Sequence, residues 1–221
     1  MPLVLIEGLP DTGKSGAFER VTKDDKIFWM DIETKPPAKF IKKNTVRYKP
    51  KSADDMKTKL IAALKSDKVD VIVVDAISRY STLLELKFKE EGVVNFAKWD
   101  AYRYEFDELA RLANSTSKIV IFINHLMVSK ETGELVSVAK GEFKDTGGWL
   151  SHVDIAMTAK KIDGERWLIL TDGEARVPFD MEFSHPKMRI DGRDETSKKQ
   201  KDEFNMKHII AELKEYFNDE E

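Results

Sequence analysis

The chain of 221 residues sets 37 lysines and arginines against 40 aspartates and glutamates, a formal charge of −3. This excludes a protein coated in positive charge for nucleic acid, so any such surface must be local. Cysteine is absent, which excludes disulfides, thiolate metal sites and cysteine nucleophiles and makes an intracellular protein the simplest expectation. The length suits one α/β domain with an appendage. No apolar run approaches the roughly 20 residues needed to span a bilayer. Met1 leads straight into a strand without a signal peptide, so a cytoplasmic protein with no membrane contact is expected. The four histidines (His125, His152, His185, His208) show no ligand spacing. Charged residues reach 35% and Gln200 is the one glutamine, a bias shared by heat-adapted proteins and by lysine-rich, AT-rich genomes.

In chain order, Leu3 to Ile6 reads as a strand, followed at once by Gly8-Leu-Pro-Asp-Thr-Gly13-Lys14-Ser15. That segment fits the phosphate-binding pattern G-x-x-x-x-G-K-[ST] at every fixed position. A helix is expected over residues 14 to 23, its dipole adding to the loop. Strands are expected over Ile27 to Ile32 and Thr45 to Tyr48, then a helix from about Ala53 to Ser66. Val69 to Val74 is a fully apolar strand, a long helix runs from about Trp99 to Ala113, and Ile119 to Ile123 is the next buried strand. Residues 126 to 148 are polar with four glycines and read as a long functional loop. Ile155 to Lys161 and Trp167 to Thr171 flank Asp163-Gly164, a hairpin signal. The pattern predicts an α/β fold, a mostly parallel sheet flanked by helices with antiparallel strands at the C-terminal side. Residues 1–190 form its core. Residues 191–221 add a charged linker and an amphipathic helix, Glu203 to Asn218, docked on the core or on a partner.

The phosphate loop implies a nucleoside triphosphate. Gly8, Pro10, Asp11, Thr12, Gly13, Lys14, Ser15 and Gly16 would wrap the phosphates with backbone amides. Lys14 would neutralise the β and γ phosphates and Ser15 would ligate Mg²⁺. Asp75, closing the strand Val69 to Val74, is the second candidate for the metal shell. Asp31 and Glu33 share one strand face, and Glu33, at the tip, is the better candidate to orient or deprotonate water. Lys35 to Lys51 holds seven cations and no acid, with Phe40 and Tyr48 interleaved. It reads either as a nucleic-acid groove reached by Lys42 and Lys43 or as a lysine-protected sheet edge.

The ordered set of the phosphate loop, "FWMDIE", "VIVVDAISRY", "IVIFINHL" and "GGWLSHVDIAMTAKK" resembles the RecA-like P-loop ATPase core over roughly residues 3 to 180. The compact form, with a tryptophan-centred segment at Val93 to Trp99, is most similar to the small single-strand annealing and recombination ATPases of bacteriophages. The resemblance implies an ATPase using ATP and Mg²⁺, with DNA-stimulated turnover. Its partners would be single-stranded DNA and further copies of itself, in a ring or short filament, within a host cytoplasm if viral. It makes Glu33 the catalytic glutamate and Asn124 with His125 the sensor of the γ-phosphate. The following loop would contact DNA through Lys130, Lys140 and Lys144, with Gly147 and Gly148 opening the next helix. It also implies a cation supplied by the neighbouring subunit, Arg176 or its rival Arg166.

Two features depart from the family. The loop from 126 to 148 has three lysines against Glu131, Glu134, Glu142 and Asp145, a formal charge of three minus four, −1. Strong electrostatic capture of DNA by this loop alone is not expected. The residues that link subunits ahead of the core in strand-exchange proteins have no counterpart before Leu3, so long filaments of that kind are not expected. Rival readings are a helicase or DNA-packaging motor, a small-molecule kinase, and a nucleotide-gated adaptor whose C-terminal helix recruits a single-strand-binding or replication protein.

Overall fold

The computed structural model describes residues 2–33, 38–94, 96–138, 148–170, 175–178, 181–190 and 205–218. Strand β1 (Leu3–Gly8) is apolar on both faces up to Ile6 and fully buried. Such strands belong inside a parallel sheet covered on both sides. It lies between β5 (Ile119–Val128) and β7 (Ile155–Ile162), parallel to both. Next to β5 come β4 (Val71–Asp75), β2 (Ile27–Asp31) and β3 (Val46–Tyr48), all parallel. On the other side β7 turns at Asp163-Gly164, both at positive φ, into antiparallel β8 (Glu165–Ile169), followed by β9 (Lys187–Arg189). Among the described residues the sheet order is β3-β2-β4-β5-β1-β7-β8-β9, with β6 (Leu135–Ser137) paired to β5. The expected mostly parallel sheet with an antiparallel C-terminal side is therefore present.

Alternation along the strands separates two cores. Val4, Ile6, Trp29, Val73 and Ile121 face one side, where Phe18 meets Trp29 edge-on at 5.1 Å. Leu3, Leu5, Val74 and Phe122 face the other, beneath α2 (Ala53–Leu64), α3 (Tyr80–Glu90) and α4 (Phe96–Asn114). There Tyr80, Tyr102, Phe106 and Trp149 form a continuous aromatic layer. Buried Glu105 ties α4 to its neighbours, with Lys57 Nζ at 2.5 Å and Lys87 Nζ at 2.9 Å.

Several elements differ from the sequence expectation. Instead of a helix over 14 to 23 there is a 3-10 turn, Ser15–Phe18, and a second at Lys23–Asp25. Gly16 and the β-branched pair Val21-Thr22 weaken the helix, and Thr22 N–H and Oγ1 both donate to Asp25 Oδ2, at 2.6 and 3.1 Å, starting a new turn. The segment is held by packing of Ala17, Phe18 and Val21 against the C-terminal helix α5 (Met206–Asn218), whose Met206, Ile209, Ile210 and Leu213 are buried in the same core. That helix therefore docks on the core. The loop expected at 126 to 148 begins as a strand, because β5 continues to Val128 and pairs with β6. Helices α1 (Lys39–Asn44) and α3 were not anticipated. No helix among the described residues is long and apolar enough to cross a membrane.

Candidate active site

The loop after β1 is shaped by close approach of backbone to backbone. A Cβ on Gly8 would lie 2.3 Å from the Ala159 carbonyl oxygen and 2.7 Å from Thr12 Oγ1, so only glycine fits there. Gly13 has φ +91, and a Cβ there would meet Arg166 Cδ and Ile190 Cγ2, each at 2.9 Å. The Thr12 hydroxyl closes the turn by donating to Leu9 O at 2.8 Å. Lys14 is buried, and its ammonium donates to the carbonyls of Gly8 at 2.8 Å and Leu9 at 2.9 Å. Burial lowers the Lys14 pKa to about 8, with Asp75 and Glu33 opposing the fall. With only a short turn behind it, this loop relies on Lys14 and its own amides for positive potential, rather than on a long helix axis.

Register then brings the acids together. Asp31 pairs with Asp75 and Asp75 with Ile123, so β2 and β4 end level, while Gly8 and His125, paired two residues further on, carry β1 and β5 just past them. Asp31 and Asp75 share the face of Trp29 and Val73, the side on which the 3-10 turn packs. Ser15 Oγ donates to Asp75 Oδ2 at 2.7 Å. Burial pushes Asp75 up to about 6, and Glu33 and Asp31 push the same way against the Ser15 bond. Asp31 is held by Arg47, whose Nε and Nη2 each lie 3.1 Å from Oδ2. Burial still raises its pKa above the ordinary carboxylate value. Glu33 Oε1 lies 2.5 Å from His125 Nε2.

Lys14, Ser15, Asp31, Glu33, Asp75 and His125 line one cavity of about 660 Å³, together with Pro10, Asp11, Gly13 and Gly16. Its size is that of small-molecule and cofactor sites. A glycine-built loop with a buried lysine fits a polyphosphate. A hydroxyl bonded to a carboxylate at a strand end supplies the hard oxygen donors that Mg²⁺ takes in addition to phosphate and water. Among the described residues no group of three or more His, Cys, Asp or Glu forms a protein-only metal cage. Gly8 and Thr12 shape the loop without lining the cavity.

The two residues expected to act as sensor separate. Asn124 lies on the opposite face of the sheet, fully buried, its Nδ2 donating to Glu7 Oε1 at 2.7 Å and to Ser137 Oγ at 2.6 Å. His125, one residue on, is the one that faces the cavity. Strand alternation from Ile121 and Ile123 carries that information, since both share the phosphate-loop face. Arg176 bridges Ala156 through its backbone and donates from Nη1 to Leu150 O at 2.8 Å. Arg166 lies against the phosphate loop of its own chain, Nε donating to Asp11 O at 2.8 Å. Lys42 and Lys43 are exposed on α1, and Lys130 is exposed at the β5–β6 turn. Within the basic segment, Arg47 pairs with Asp31, Tyr48 OH donates to Asp55 at 2.8 Å, and Phe40 packs on the core. Those aromatics and that arginine serve the fold. Gly148 opens a short 3-10 turn at positive φ, whereas Lys140, Lys144 and Gly147 lie outside the described residues.

No family model and no curated protein sequence matches the chain. Among solved structures 191 chains match. One, the crystal structure of the RadB recombinase, is 16% identical, with 82% of this chain and 83% of that one covered and a TM-score of 0.49. The α/β architecture given above rests on this chain's own strand order and register.

Proposed function

We propose that this protein is a Mg-ATP-dependent ATPase of the RecA-like type that binds single-stranded DNA and promotes its annealing or exchange, as in phage recombination and replication. The observation that carries the reading is the meeting of Lys14, the Ser15–Asp75 pair and the Glu33–His125 pair in one cavity at the C-terminal ends of four adjacent parallel strands. That is where α/β sheets bind ligands.

Lys14 and the loop amides would hold the phosphates, and Ser15 and Asp75 would hold Mg²⁺. The ion, when bound, neutralises charge on the β and γ phosphates. Glu33, at the tip of β2 and half-buried, would orient and deprotonate the attacking water. His125, bonded to Glu33, is in our reading the polar sensor of the γ-phosphate. It starts the β5–β6 hairpin, since Val138 N–H donates to His125 O at 2.9 Å. A change at His125 would therefore reach Lys130 and the exposed apolar side chains Met127, Val128 and Leu135, which offer bases a sequence-tolerant contact surface. Self-association into a ring or short filament belongs to the same reading.

Lys14→Ala should abolish nucleotide binding, measured with a fluorescent ATP analogue. Glu33→Gln should leave binding intact and lower turnover by about 10²–10⁴-fold, the usual contribution of a general base. Normal hydrolysis by Glu33→Gln would remove Glu33 from the mechanism.

A further inference from the structure

Helix α4 keeps one face exposed along its length. Tyr102, Phe106, Leu109 and Ala113 point into the core. At 3.6 residues per turn the outer face carries Ala97, Asp100, Tyr104, Asp107 and Arg111, all exposed. Those five stand at alternating steps of three and four, the spacing of the seam that one helix presents to another. Tyr104, at the middle of the seam, is 64% exposed, and Trp99 on its flank is 42% exposed. Aromatic residues are enriched where proteins meet.

The charges of the seam are self-complementary. Asp100 and Arg111 stand at opposite ends, roughly 16 Å apart along the axis, so they cannot meet within one chain. Neither side chain has a partner among the described residues. Asp107, one turn before Arg111, is bonded instead to His152 Nε2 at 3.3 Å. In a parallel pair of α4 helices Asp100 would face Asp100 and Arg111 would face Arg111. In an antiparallel pair, related by a two-fold axis that passes between Tyr104 and Asp107, Asp100 of each copy lies level with Arg111 of the other. Arg103 then lies level with Asp107, and the two Tyr104 rings flank the axis. Each of these contacts occurs twice, as a two-fold contact requires.

We propose that the outer face of α4 is the interface of an antiparallel, two-fold homodimer, its occupant a second copy of this chain. The interface is on the side of the sheet away from the turn that follows the phosphate loop. It leaves the cavity open and does not rest on the ATPase reading. A two-fold contact closes on itself, so it is distinct from the head-to-tail contacts of a ring or filament.

The test is sedimentation equilibrium of the full chain without nucleotide, in the wild type and in Lys14→Ala. Both should form a species of twice 25.4 kDa, with a dissociation constant of about 10–100 µM, as suits a contact at the small end of interface sizes. Asp100→Lys and Arg111→Glu should each weaken the dimer at least about tenfold, because like charges then face each other twice. The combined Asp100→Lys, Arg111→Glu variant should recover the wild-type constant to within about threefold, since the pair is restored with its signs exchanged. If a charge variant fails to fold, Tyr104→Ala decides, because its ring stands in solvent; it should weaken the dimer about tenfold, as loss of a central aromatic does. A wild type that stays monomeric up to about 1 mM, a dimer indifferent to both single reversals or to Tyr104→Ala, or a combined variant that stays monomeric with unchanged circular dichroism would overturn the interface.

Discussion

Arg166 makes β8 a brace for the phosphate loop. Its Nε holds the carbonyl of Asp11, a residue at φ 62, and its Cδ fills the space that a side chain on Gly13 would take. The loop conformation thus depends on a cation from the same chain. Arg166→Ala should raise the KM for ATP by about tenfold, the loss of one charge-assisted hydrogen bond. Mixing it with Lys14→Ala should restore no activity, because each subunit would carry its own defect. Recovery of turnover in the mixture would show that Arg166 acts on a neighbouring subunit. Of the cavity lining, the phosphate loop was legible from residue type at fixed spacing, and Asp75 and Glu33 from their places at the ends of apolar strands. The positions of His125 and Arg166 were less so, because they depend on which face a strand presents and on which strand lies beside the loop. Alternation along β5 separates His125 from Asn124, but no local pattern places β8 against Gly13.

Glu7 joins three strands on the face away from the cavity. It precedes Gly8 on β1 and accepts from Asn124 of β5 and, at 2.9 Å, from Ser137 of β6. The strand that leads into the phosphate loop is therefore tied to the hairpin that follows His125. Burial raises the Glu7 pKa above its ordinary 4.5, with the Asn124 and Ser137 bonds opposing the rise. The folded state then binds this proton more tightly than the unfolded chain, so stability falls as pH rises from the ordinary value through the raised one. Glu7→Gln, which keeps an acceptor oxygen, should melt at a higher temperature than the wild type at about pH 7 and show no advantage at about pH 3.5. An equal difference at both pH values would mean that the carboxylate charge is not the cause. Among the elements, long apolar strands and the Asp163-Gly164 turn were readable from composition and period. The helix expected after Lys14 was not formed, because packing of Phe18 and Val21 and the Thr22–Asp25 bonds override weak local propensity.

At the scale of the whole molecule, the C-terminal helix completes the phosphate-loop side. Packing α5 on the turn that contains Ser15 gives that side the cover a longer first helix would have provided. Lys214 adds a bond to Asp70 at 3.3 Å. The apolar face that an adaptor would use for recruitment is thus already buried. Leu213→Ala should cost about 3 kcal/mol by urea denaturation and weaken ATP binding, because the turn behind Lys14 loses its backing. The amphipathic period of α5 was clear in the sequence, but the face of the sheet that it covers is decided by contacts some 190 residues away from it.

The central claim is that one cavity hydrolyses ATP and that the hairpin leaving His125 reports this to DNA. Steady-state Mg-ATP hydrolysis, with and without single-stranded DNA at low salt, tests it most directly. The account predicts turnover that rises several-fold on adding DNA. ATP binding with turnover indifferent to DNA would contradict it.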